Sequence, residues 1–151
     1  MADLKDRLRG DLTASMKARD EVRTRTLRMA LTSVSKEEVA GSASRELSDD
    51  EVLKVLSKEA KRRREAAEAF AAAGREEQAA AERAEGAILA GYLPVQLTDD
   101  ELGALVVAAI KATGAAGLAA MGQVMKVVTP QVAGRADGGR VAAEVRRALG
   151  R

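Results

Sequence analysis

Near the N-terminus Leu4, Leu8, Leu12 and Met16 recur every four positions, a spacing that lines one face of an α-helix and predicts a first helix from about Ala2 to Lys17. Asp3 and Asp6 stand where the N-terminal end of the helix dipole favours negative charge. A second helix opens near Asp20 and gathers Leu27, Leu31 and Val34 on one face, with Arg23, Arg25 and Arg28 elsewhere around it. Gly41 to Glu46 reads as a loop. Ser48 and Glu51 then form a capping-box pair ahead of Val52, Val55, Leu56, Ala60, Ala67 and Phe70, which predicts a long third helix ending at Gly74 with Phe70 in the core. A fourth runs from about Arg75 to Gly91. It stops at Tyr92-Leu93-Pro94, because proline disfavours helical geometry in the residue before it.

This break divides the expected fold into a lobe over 1–94 and a lobe over 95–151. Thr98 and Glu101 repeat the capping box and open a fifth helix, through about Lys111, that carries Leu102, Leu105, Val106 and Ile110. Leu118 to Val128 and Gly138 to Leu149 predict two shorter helices, with Pro130, Gly134 and Gly138 marking the turn between them. The expectation is all-α: an N-terminal lobe of about four helices followed by a small three-helix lobe.

Composition strengthens the helical reading. Ala, the best helix former, supplies nearly half of the 46% of residues that are hydrophobic, and its small side chain suits close helix packing, as in the stretch from Ala66 to Ala84. No segment reaches the roughly 20 apolar residues of a membrane span, and Met1 to Arg19 lacks a signal-peptide core, so a cytoplasmic protein without membrane contact is expected. With no Cys there is no disulfide, no thiolate nucleophile and no Cys-held zinc. With no His, the usual neutral-pH base and the commonest metal ligand are also missing. No metal and no cofactor are expected.

Charge is clustered. Lys54, Lys58, Lys61, Arg62, Arg63 and Arg64 are opposed within their segment by Glu59 alone, and Lys61 has Glu65 four residues on as an ion-pair partner. They spread around the third helix and suit a solvated face, or a second phosphate-facing patch. Toward the C-terminus Lys126, Arg135, Arg140, Arg146, Arg147 and Arg151 face Asp137 and Glu144. Here Gly122 permits close backbone approach, and Gly134 and Gly138 bracket a turn into the last helix. The opening of that helix suits either a bound phosphate or an ordinary cap.

Four stretches together resemble the YqeY family, also described as GatB/YqeY-domain proteins. They are Leu27-Arg28-Met29-Ala30-Leu31, the run from Lys61 to Phe70 with Gly74-Arg75, Tyr92-Leu93-Pro94-Val95-Gln96-Leu97, and Gly134-Arg135-Ala136-Asp137-Gly138. The resemblance covers essentially the whole chain. The second lobe is similar to the helical tail of GatB, a subunit of the amidotransferase that converts misacylated tRNA. That tail contacts tRNA, which makes Gly122, Lys126, Arg135, Arg140, Arg146 and Arg147 candidate RNA contacts. YqeY members often read Gly-Lys-Val-Met-Gly where this chain has Gly122-Gln123-Val124-Met125-Lys126, so the cation sits three residues later, at Lys126. The resemblance implies no catalytic residue.

Glutamine-dependent amidation requires an activated Cys or Ser to release ammonia and a metal site to activate the acceptor. Ser33 and Ser35 beside Lys36 lack the Gly-Ser-rich surroundings of an amidase loop. A label of carbon-nitrogen ligase with glutamine as amido-N-donor would follow from kinship without the chemistry. The expected function is a non-catalytic tRNA-binding or adaptor module. The alternatives are a protein-interaction accessory of an aminoacyl-tRNA synthetase or amidotransferase subunit, and a cryptic enzyme. Phe70 and Tyr92, the two aromatic residues, are expected to pack inside, which leaves no stacking platform for bases and directs recognition to phosphate and shape.

Overall fold

Asp20, Ser48, Thr98 and Asp137 each accept a hydrogen bond from the backbone N–H three residues onward, at 3.1, 3.3, 3.1 and 3.0 Å. Each satisfies a donor that the first turn of a helix leaves without an internal partner. Glu51 and Glu101 return the bond to the N–H groups of Ser48 and Thr98, completing two capping boxes. In the computed structural model, which describes residues 3–150, the helices are α1 (Asp3–Lys17), α2 (Glu21–Glu38), α3 (Asp49–Ala72), α4 (Glu76–Ala90), α5 (Asp99–Thr113), α6 (Met121–Val132) and α7 (Gly138–Leu149). A single 3-10 turn, Leu118–Ala120, leads into α6. No strand occurs among the described residues, so the fold is all-α. None of their single helices is long and apolar enough to cross a membrane.

The chain divides into two compact units, Met1–Leu93 and Pro94–Arg151. In the first, Leu8 of α1, Leu27, Ala30 and Val34 of α2, Leu47, Val52 and Leu56 of α3 and its approach, and Leu89 and Tyr92 around the end of α4 form one core. Partly buried polar groups tie these helices together. Ser15 and Thr24 share a hydroxyl hydrogen bond of 2.9 Å, and Lys5 Nζ donates to Glu38 at 2.7 Å. Glu38 also accepts from the N–H of Leu47 at 3.3 Å, which pins the connection between α2 and α3. These bonds, Lys5 first, hold the Glu38 carboxyl below its ordinary pKa. The α3–α4 hairpin closes through small residues, with Ala67 and Ala79 buried. At Gly86 an added Cβ would stand 3.5 Å from Arg63 Cβ, an ordinary contact.

The second unit packs Leu102, Val106 and Ala109 of α5, Val124, Val128 and Val132 of α6, and Val141, Val145 and Leu149 of α7 into its own core. The four-residue spacing on α6 and α7 delivers one buried stripe from each. Leu97 N–H donates to the Arg135 carbonyl at 2.7 Å, tying the lead into α5 to the turn before α7.

Four expectations change. Phe70, in the last turn of α3, is half-buried and lies outside both cores, because the first core draws on α3 only as far as Ala60. Met16, the last residue of the α1 stripe, is 43% exposed. Pro130 lies inside the last turn of α6, and the turn itself is made by Ala133 and Gly134, both in left-handed conformation at φ 43° and 79°. Gly122 has open space where a Cβ would stand, so no close approach of protein requires it.

Candidate nucleic-acid interface

Lys126 on α6 and Arg146 on α7 are exposed, and neither has an ion pair or side-chain hydrogen bond among the described residues. Arg151 lies outside the described residues, and Arg135, Arg140 and Arg147 have acidic neighbours. Arg140 donates to Asp99 Oδ1 at 2.9 Å, Arg135 lies 3.8 Å from Glu101 and donates to the Val95 carbonyl at 3.3 Å, and Arg147 is paired with Glu144, which raises its pKa. The Thr98 N–H, the strongest influence, and then the Thr98 hydroxyl and Arg135 keep the Glu101 carboxyl below its usual pKa. The opening of α7 carries its own anion, the Asp137 carboxylate that accepts from Arg140 N–H. Between the two readings of that site, the geometry is that of a capped helix.

The cluster on α3 separates by depth. Arg63, with 13% of its side chain exposed, reaches Glu85 at 3.0 Å, Glu59 at 3.6 Å and Glu82 at 3.7 Å, and Arg25 also pairs with Glu85 at 3.0 Å. This is an internal charge network. Arg62, largely exposed, pairs with Glu59 at 3.3 Å. The expected Lys61–Glu65 pair is not formed, and Arg64 is exposed with a partner of its own. Glu65 is exposed and Lys61 partly so, and such a pair contributes about 1 kcal/mol or less, close to the cost of ordering both side chains.

Lys54, Lys58 and Arg62 sit at successive four-residue steps and therefore share one face of α3, across from Ser33, Lys36 and Glu37 on α2. With Arg45, Leu47, Glu51, Val55 and Glu59 they line a groove of about 570 Å³. Lys36, Lys54 and Lys58 are exposed and have no ion pair among the described residues. Lys36 escapes a reading by local clusters because it lies far from Lys54 along the chain; the signal available in the sequence is the four-residue spacing within α3.

Tyr92 is buried, as expected of it, and its hydroxyl donates a short hydrogen bond to Asp11 Oδ2. The Arg7 guanidinium stands 4.7 Å above its ring, and Arg23 Nη2 donates to its oxygen at 3.4 Å. Burial, reinforced by the bond to Asp11, pushes the phenol up to about 12. The Tyr92 ring therefore serves packing and offers no face for base stacking. A family model described as Yqey-like protein matches residues 5–149. No curated protein matches the chain significantly.

Proposed function

The chain belongs to the YqeY family, and from that premise we propose that it is a non-catalytic RNA-binding module of the cytoplasm whose ligand is tRNA. The observation that carries this reading is the presence, among the exposed cations that lack an ion pair within the described residues, of Lys36, Lys54 and Lys58 along one groove and of Lys126 and Arg146 in the second unit. Such cations bind by neutralising phosphate and releasing counterions. Tyr92 is buried and Phe70, half-buried, is the one other aromatic ring, so the module has no array of rings for stacking bases and discriminates by shape and phosphate position, with little base specificity. The test is fluorescence anisotropy of the full chain with labelled tRNA over a salt series. The expected log–log slope of affinity against salt is about −2 to −4, corresponding to several engaged phosphates. Affinity that does not change with salt overturns the reading.

One observation favours a protein partner such as an aminoacyl-tRNA synthetase or amidotransferase subunit. On α2, Met29 and Thr32 line a shallow groove of about 540 Å³ with Arg25 and Arg28, and nearby Val22 is 38% exposed. Copurification from the source cells separates the readings: a tRNA pool supports the first and one stoichiometric protein supports the second.

A further inference from the structure

Resting on the RNA-binding reading, we infer that the principal phosphate-contacting surface is the groove between α2 and α3 in the first unit, with Lys36, Lys54 and Lys58 as its contacts, and that the tail contributes less. Lys36 comes from α2 and Lys54 and Lys58 from α3, so the packing of two helices brings three cations to one concavity of about 570 Å³. The lining carries five cations, Lys36, Arg45, Lys54, Lys58 and Arg62, against three acids, Glu37, Glu51 and Glu59, and a concave wall with an excess of positive charge focuses the field and draws in a polyanion.

The acids of the groove are mostly committed elsewhere. Glu51 is held by Arg45 at 2.8 Å and by the N–H of Ser48 at 2.9 Å. These bonds, Ser48 first, keep its carboxyl below the usual range. Glu59 accepts from Ser33 at 3.1 Å and is paired with both Arg62 and Arg63. Glu37 is the one acid of the lining without a cationic partner among the described residues, against three free lysines. In the second unit, Arg135, Arg140 and Arg147 stand against Glu101, Asp99 and Glu144, and the exposed cations without an ion pair among the described residues, Lys111, Lys126 and Arg146, lie on three separate helices. Free positive charge is therefore more concentrated in the groove.

The chemistry of the lining selects the ligand class. Lysine ammonium groups are compact, rotatable point charges that suit phosphodiester oxygens and read no base edge. Leu47 and Val55 are the apolar residues of the lining, and no aromatic ring is among them. The ligand is the sugar-phosphate backbone of a structured RNA, held without base stacking.

The test compares the full-length chain, the triple variant Lys36→Gln/Lys54→Gln/Lys58→Gln, and the tail variant Lys126→Gln/Arg146→Gln, each titrated with a labelled tRNA pool across a salt series. Circular dichroism melts establish folding, and the single variants Lys54→Gln and Lys58→Gln stand in if the triple variant does not fold. The triple variant is expected to bind at least about tenfold more weakly at low salt and to lose about 2 from the magnitude of the salt slope. A Lys-to-Arg triple, which retains the charges, is expected to restore binding. If the triple variant binds like the parent while the tail variant loses affinity, the groove assignment falls and RNA binding stands. If the parent itself shows no salt-sensitive tRNA binding, RNA binding falls and the groove assignment falls with it.

Discussion

Arg63 Nε lies 3.0 Å from Glu85 Oε2 where α3 packs on α4, and the two side chains are 13% and 10% exposed. The nitrogen is not aligned for a hydrogen bond, so charge attraction links the pair, with Glu59 and Glu82 around the same guanidinium. Removing one member of a buried charge network leaves its partners uncompensated. Arg63→Ala should therefore lower stability by about 3 to 5 kcal/mol. Its chain neighbour Arg62, whose side chain is 71% exposed, should lose less than about 1 kcal/mol on the same change. Urea unfolding of the two variants checks this, and equal effects would show that Arg63 is not an internal residue.

The phenol of Tyr92 titrates near 12, above its ordinary value of 10.0. A group whose pKa rises on folding contributes fully below its unfolded pKa, and that contribution is lost as pH rises through the folded one. The difference in stability between the parent and Tyr92→Phe should be constant below pH 10 and shrink from about pH 10 to about pH 12. Chemical unfolding at a series of alkaline pH values measures it. A difference independent of pH in that window would show that the buried phenol is not what titrates.

Ala133 ends α6 in the left-handed region, which penalises any residue with a Cβ. Ala133→Gly should raise stability by about 1 kcal/mol by removing that penalty. Gly134→Ala, at φ 79°, should lower it by a similar amount. Thermal melts of the pair give the signs directly, and a destabilising Ala133→Gly would contradict the left-handed cap.

Each unit has its own core, and the second begins at Pro94. A fragment covering 94–151 should therefore fold to a helical state by itself. Circular dichroism with a cooperative melt checks this; a coil spectrum would mean that the second unit needs the first to fold.

Leu27 is fully buried in the first core whereas Phe70 is half-buried outside it. Leu27→Ala should cost about 2 to 5 kcal/mol, and Phe70→Ala clearly less despite the larger side chain removed. The order of the two melting temperatures tests the placement.

The helices were legible in the sequence because their signals are local. Spacings of four residues place Leu4, Leu8 and Leu12 on one face, and the pairs Ser48–Glu51 and Thr98–Glu101 satisfy helix-end donors within a single turn. The cations resisted the same treatment. Arg62, Arg63 and Arg64 are adjacent in the chain, yet the helical turn of about 100° per residue points them in different directions. Whether each meets solvent or a carboxylate depends on which helices pack alongside. Likewise Arg135 and Arg140 lie close to Asp137 in sequence but have Glu101 and Asp99 of α5 beside them. Local patterning determines where backbone hydrogen bonds begin and end and which face is apolar. Charge compensation acts through space at a few ångströms, so only the packed helices decide that Arg63 is internal and that Lys36 joins Lys54 and Lys58 in one groove.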